Sequence, residues 1–439
     1  MTKSPKKRLS ARALAIMAAA AVIALSVGVT MLIYRPPLDH LPRLLAKKLL
    51  TPVFNIVYGA DLERAQAISR TYYHGAAGRG KPASEWSALA RQESGFRLLG
   101  GSGLTPLYRG ASFVFEKPGA PHLTELAEGR HLKEMVAKAG GDEYLQMLTL
   151  FRWLGTRWDH GVDTVPGSQM CCSPLAIVAA GESGAKFWCE VSARVTADAA
   201  TALGWPTRVV TASRDGYIWE HALAEVWSNR FAKWFVVDTN YNLIYEAGGV
   251  PLSAYEICHQ GPALQRAGLL TVRRIAPQKP SLRKDVDLVK YYRYVHIDLR
   301  NDWCTRPLHP GSPAGGDRAS WWTARADLGP VITSKIRVDD QKVFDWPVNV
   351  VEIHAASLRK EAGGGYGLDV ELAGYSPYFD HFETRMDGGR WVASAGYRRH
   401  FTVRAGQHAV EARVVTASGA AGPVSSVRFL LAPPAGQPS

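Results

Sequence analysis

Cysteine is scarce in this chain, five in 439 residues, and no two of them form a C-x-x-C pair. A structural zinc site of the paired-cysteine type is therefore not supported. Other signatures are missing too: H-E-x-x-H, G-x-x-x-x-G-K-[ST], a strand–G-x-G-x-x-G–helix unit and a D-x-D-x-D-G calcium loop. Zinc-protease, P-loop, dinucleotide-binding and EF-hand chemistry lose their usual carriers, and no cofactor is expected. There is no internal repeat. Acidic residues are outnumbered, 39 against 52 basic ones, for a net charge of +13 and a pI near 9.5. Such a balance suits an anionic partner. Outside the N-terminal flank, however, the basic residues are scattered and not interleaved with aromatics, so nucleic acid is not expected as a partner.

What is present is ordinary globular material, 46% hydrophobic and 21% charged, behind an unusual N-terminus. MTKSPKKRLSAR carries Lys3, Lys6, Lys7, Arg8 and Arg12. From Ala13 to Tyr34 there is no charge. About 20 apolar residues cross a bilayer as a helix, whereas a cleavable signal has an apolar region of roughly 7–15 residues and a small-residue cleavage site. Here the run ends in MLIYRPP. An uncleaved single-pass anchor is expected, in contact with the membrane. Arg35, Arg43, Lys47 and Lys48 follow the run, but the basic cluster before it favours a cytoplasmic N-terminus and a periplasmic body.

The length implies two or three domains. Seven segments follow from composition and periodicity: a basic tail (1–12), the anchor (13–34), a helical or irregular region (35–120), a core (121–260), an extension and linker (261–340), a β-sandwich (341–432) and a disordered tail (433–439). Apolar residues recur at helical spacing from His122 through DEYLQMLTLFRWLG. The helix after Cys189 stops at Gly204-Trp205-Pro206. Strand-like runs follow at 207–212, 220–227 and 233–239, which makes the core α+β. Beyond 344, seven short strands separated by DGG and ASGAAGP read as an Ig-like or fibronectin-type sandwich. That module is a candidate surface for an envelope partner.

The stretch GAKFWCEVSARV (184–195) raises the functional question, because Cys189 sits where a loop becomes a helix. Most buried cysteines are inert small hydrophobes. A thiol turns nucleophilic when its pKa is lowered and a base stands beside it, and a helix start favours the thiolate. EHALAEVWSNRFAKWFVVDT supplies the base as a β-hairpin. A turn centred on Asn229–Arg230 sets His221 directly opposite Asp238, with Cβ atoms about 4.5–5.5 Å apart. A carboxylate there holds an imidazole in the needed tautomer. Cys189, His221 and Asp238 are therefore the candidate catalytic residues. With an odd number of cysteines, one thiol stays unpaired outside the cytoplasm. Cys189 is the choice, Cys258 with Cys304 is one candidate disulfide, and Cys171 and Cys172 can each pair elsewhere.

This order of Cys, His and Asp on a helix and two successive strands resembles the transglutaminase-like superfamily of papain-like fold. Gly204-Trp205-Pro206-Thr207-Arg208-Val209-Val210 is similar to its G-x-P-x-R-V-V strand. His221-Ala222-Leu223-Ala224-Glu225-Val226 resembles its His-x-aromatic-x-Glu-Val, and Trp234 to Thr239 resembles its Trp-x-x-x-Asp-Pro/Thr. The likeness spans about 145–245, roughly a quarter of the chain. Phe187 stands where the family often has Gly, and Leu223 where it usually has Trp or Phe. The resemblance implies acyl transfer or hydrolysis on a protein or peptide amide, with Cys189 as nucleophile, His221 as proton carrier and Asp238 as orienter. Oxyanion donors would come from the Cys189 amide and from Gln169, Trp153 or Trp158. The competing expectations are a non-catalytic envelope scaffold and a wall-assembly factor with the sandwich as a sugar-binding module; Trp391, Tyr375, Tyr378 and Phe379 are the candidates for its aromatic patch, but strand-edge and core positions are the expected reading of them. Glu225 is expected to be structural and Glu220 solvent-facing.

Overall fold

The computed structural model describes residues 62–76, 80–93, 95–165, 173–283, 287–305, 319–329, 331, 336–361, 365–394 and 396–432, with four isolated positions before them. The fold is α+β. The expected anchor at 13–34 lies outside the described residues except for three positions, as does the C-terminal tail. Among the described residues no helix is long and apolar enough to cross a membrane.

A six-stranded sheet organises the centre. Its order across the sheet is Ile336–Arg337, Ser320–Ala324, Tyr294–Asp298, Thr207–Ser213, His221–Ser228 and Lys233–Val237, antiparallel except at the first pair. The extension after residue 261 thus adds three strands to the core sheet. Helices cover both faces, so the strand His221–Ser228 is buried at every position. Val226, Phe235 and Val237 pack with helix Glu143–Gly155 and the cysteine helix, while Leu223, Trp227, Trp234 and Val236 pack toward helix Ala254–Arg266.

The cysteine helix runs from Cys189 to Ala202, with Trp188 as its N-cap, and all residues from Val191 onward except Arg194 are buried. Its alanines allow close approach to the sheet: Ala193 and Ala197 touch Val209 and Ala222. The helix ends because Gly204 turns left-handed at φ +82, where its amide bonds Thr201 and the next amide bonds Ala200.

The hairpin departs from the expected register. Ala224 pairs with Val237 and Ser228 with Lys233, so the turn centres on Arg230–Phe231, one residue later than expected. Carried one step on, this register puts Asp238 beside Leu223, diagonal to His221 rather than opposite it. A slide of two residues keeps the pair on one face. The cause lies outside the hairpin. Glu143, at the start of its helix, accepts from the Ser228 hydroxyl (3.0 Å) and from the Asn229 and Arg230 amides (3.2 and 2.9 Å). Phe231 packs edge-on against Tyr144, and Ala232 closes the turn at φ +52.

Between Val350 and Leu431 seven strands form two antiparallel sheets around a shared apolar core. The region before residue 120, whose role the sequence leaves open, completes both sheets. Tyr73–Gly75 pairs with Tyr366–Tyr375, and Phe96–Gly100 with Ser425–Leu431. Helix Pro82–Gln92 lies on the Val350–Lys360 strand, where the buried Trp86 donates to the Ile353 carbonyl at 2.8 Å and stacks on Phe96 and Phe429. Tyr375 and Tyr378 are buried, Phe379 is half-buried, and Trp391 is covered by Arg385 and Arg413. These residues therefore take the core and edge positions expected of them and form no open aromatic platform.

Candidate active site

Cys189 is the first residue of its helix, His221 the first of its strand, and Asp238 follows the last residue of the neighbouring antiparallel strand. Antiparallel pairing brings the start of one strand and the end of the other to the same end of the sheet. The helix start lies there as well: Cys189 packs against the cluster holding Ala222. The structure thus brings together all three residues singled out from the sequence.

His221 Nε2 and Asp238 Oδ2 are 2.7 Å apart, with both side chains buried. The other oxygen of Asp238 accepts from the Asn240 and Tyr241 amides at 3.0 and 2.8 Å. The carboxylate is therefore fixed by three donors before any substrate arrives, and its bond to Nε2 leaves Nδ1 as the ring nitrogen for Cys189. Tyr241 meets the imidazole edge-on at 5.2 Å and Tyr291 lies 6.0 Å away. His160 reaches in through Asn240, Nδ1 to Oδ1 at 3.0 Å.

Electrostatics favour a charged pair. Burial alone raises the Cys189 thiol, but the hydrogen bond and charge of His221, with the Ala222 amide, outweigh it and hold the thiol below its ordinary value. Burial alone lowers His221. The Asp238 charge and hydrogen bond, then Cys189, override it and push the imidazole up to about 10. The helix N-terminus adds its partial positive charge on the thiolate side.

The remaining expectations divide. Trp158 gives its indole N–H to Ser192 Oγ at 3.0 Å, so it is committed to holding the cysteine helix and is not free for an oxyanion. Trp153 is half-buried under Arg157. Gln169, Cys171 and Cys172 lie outside the described residues. Cys258 is a free, fully buried thiol whose pKa burial pushes well up, while Cys304 is disulfide-bonded. The pairing of Cys258 with Cys304 does not form: Cys258 sits inside its helix with Sγ 3.6 Å from the Arg293 carbonyl. Glu220 pairs with Arg214. Glu225 is wholly buried, accepting from Arg208 and from the Ala254 amide. Arg208 continues to the Phe344 carbonyl and Asp345, and lies over Trp234 and Trp346.

Several site neighbours were missed in the sequence: Asn240, Tyr241, Tyr291, Trp303, which packs with Cys189 against the Ala193–Ala222 cluster, and Lys279, whose Nζ lies 5.4 Å from the centre of the Trp158 ring. Only Asn240 and Tyr241 carried a signal, because the amides two and three residues after a loop aspartate are the ones its side chain caps. The others come from segments 40 to 115 residues distant from the motifs. Among the described residues no group of three or more His, Cys, Asp or Glu side chains is placed to hold a metal ion. No family model and no curated protein matches this chain.

Proposed function

We propose that the chain is a thiol acyl-transfer enzyme of transglutaminase-like, papain-like type, acting on a protein or peptide amide. The observation that carries this reading is the joined arrangement at one end of the sheet: a half-buried cysteine at a helix start, with its thiol pKa lowered by a buried imidazole that a threefold-bonded carboxylate holds. A chance His–Asp pair has no reason to be desolvated beside a free thiol at a helix N-terminus.

The Cys189 thiolate attacks the carbonyl carbon, and its electron pair forms the C–S bond while the carbonyl oxygen takes the negative charge. The amide of Cys189, at the first helical position and so outside the helix's own ladder, is a donor for that oxygen. Collapse breaks the C–N bond, and His221 gives its proton to the departing amine. Neutral His221 then takes a proton from the incoming amine or water as it attacks the thioester. Expulsion of the thiolate restores the imidazolium pair. Asp238 keeps Nδ1 directed at the thiol throughout. A membrane anchor at 13–34 would hold this body outside the cytoplasm, and the Cys304 disulfide supports an oxidising compartment. The sandwich would serve as the surface for an envelope partner.

The test is alkylation of the full-length chain with limiting iodoacetamide from pH 5 to 9, mapped by mass spectrometry, in wild type and His221→Ala. Cys189 is expected to react fast well below the ordinary thiol range of about 8.5, and H221A to lose that reactivity. A Cys189 that is slow below pH 8 in both chains sinks the enzyme reading and leaves the binding scaffold in its place.

A further inference from the structure

The candidate site carries an unbalanced charge. A thiolate, an imidazolium and a carboxylate sum to one negative charge, and two of the three groups are almost fully buried. A buried net charge is costly unless another charge compensates it. Lys279 supplies an ammonium nearby. It is only 4% exposed, and its Nζ is sealed from solvent with no hydrogen-bond partner among the described residues. A buried ammonium without a partner needs a reason to stay.

The surroundings of Lys279 point toward the triad. Nζ lies 5.4 Å from the centre of the Trp158 ring, and the indole N–H of Trp158 holds Ser192, one turn into the cysteine helix. The backbone on either side is tied to the same parts. Asn242, in the turn that carries Asp238, donates to the Pro277 carbonyl at 2.6 Å and to the Gly155 carbonyl at 3.0 Å. Ser281 donates to Asp159 at 2.6 Å. The segment 277–281 is thus a strap across the back of the Asp238 turn. Two carboxylates act on Lys279, Asp238 more strongly than Asp159, and Asp159 also has Lys186 at 3.8 Å. Asp238 itself faces His221, Cys189, Tyr241, Tyr245 and Tyr292. Lys279 is the ammonium that the strap brings to this side of the Asp238 turn. Burial lowers the amine to about 8, which still leaves it charged at neutral pH. A cleft of about 630 Å³ runs along the strap, lined by Arg157 and Asp159 as well as Lys279, yet Nζ exposes no surface to it.

We propose that Lys279 is the buried counter-charge of the Cys189–His221–Asp238 site, a positioning residue that acts through Asp238 and makes the thiolate available at lower pH. This rests on the thiol reading above. Its sign does not depend on which group lies nearest. Removing a cation makes every proton loss around it harder, so both limbs of the pH profile move to higher pH.

The test is the alkylation profile of Cys189 in full-length Lys279→Met and Lys279→Arg. Met keeps the apolar stem against Trp158, and Lys279→Gln is read in its place if Met fails to fold. K279M is expected to move the acid limb up by on the order of one pH unit, about tenfold slower alkylation at a fixed pH on that limb. K279R is expected to keep the wild-type midpoint. A purely structural lysine would lower the reactive fraction without moving the midpoint. An acid-shifted wild-type profile with K279M superposed on it overturns the counter-charge and leaves the triad standing. A wild type without acid-shifted, His221-dependent reactivity overturns both.

Discussion

Asp238→Asn is the sharpest perturbation of the site, because it removes a charge while keeping the shape. In the wild type, Asp238 contributes both a charge and a hydrogen bond to an imidazole that burial would otherwise keep neutral, and His221 stands at about 10 instead of 6.5. An opposite charge at this range is worth about 1–3 pH units. Losing it leaves only burial and the thiol, and burial lowers the imidazole. His221 then falls to or below its ordinary value and is neutral at pH 7. The thiol loses the imidazolium that offsets its own burial; the Asp238 charge, which raises the thiol, goes too, but it is the smallest of these influences, so the thiol titrates higher than in the wild type. An imidazolium at this range is worth about 1–3 pH units to a thiolate, and each unit lost means about tenfold less thiolate at a fixed pH on the acid limb. The assay is the second-order rate of Cys189 alkylation between pH 5 and 9, with the imidazole followed by NMR in the same chain. D238N should show an alkylation midpoint above that of the wild type and an imidazole that titrates below 7. Folding is a separate matter with its own sign. His221 is raised above its unfolded value, so its contribution to stability is full below about 6.5 and fades as pH rises through about 10. D238N should therefore lose stability on the acid side and approach wild type in alkali. An alkylation profile unchanged in D238N would refute the assignment of Asp238.

Arg208→Met leaves Glu225 and Asp345 buried without their cation, and a broken buried pair costs about 3–5 kcal/mol. The loss in denaturant midpoint should shrink as pH falls toward about 6, because Asp345 stands at about 6 with Arg208 beside it and takes up its proton at higher pH once that cation is gone. Trp86→Ala removes a fully buried ring and its bond to Ile353 at the seam between the N-terminal helix and the sandwich. It should cost about 3–5 kcal/mol in chemical denaturation while the alkylation rate of Cys189 in the folded fraction stays at the wild-type value.

The parts of the fold that local pattern determines were legible. The alanine-rich helix from Cys189 to the left-handed Gly204, the three strands after it and the seven strands beyond 344 all follow from periodicity and turn residues. What long-range contacts determine was not. The hairpin register depends on Glu143, some 85 residues upstream, whose carboxylate takes up the first amides of the turn. The parity of the pairing survived that two-residue slide, so His221 and Asp238 were rightly placed on one face for a partly wrong reason. Residues 73–75 and 96–100 are too short and too weakly alternating to announce strands whose partners lie some 300 residues away. Cys258 and Cys304 are only two of five cysteines, and spacing carries no information on which of them a helix buries.

The three reactive groups are held by three separate devices, and where these meet bears on how the site tolerates change. The helix start fixes Cys189, with Ser192 latched to Trp158 one turn later. The ladder with Thr207–Ser213 fixes His221. The Asp238 turn is fixed by its own two amide bonds and by Asn242, which ties it to Gly155 and Pro277. Two of the three devices converge on one neighbourhood, the residues 155–159 with the 277–281 strap. Trp158 touches the cysteine helix on one side and Lys279 on the other, while Asn242 anchors the turn of the carboxylate. A change in that neighbourhood should therefore alter thiol and carboxylate together, whereas a change in the sandwich should alter neither. The coupling between thiol and base would then reside in residues that belong to none of the motifs by which the site was found.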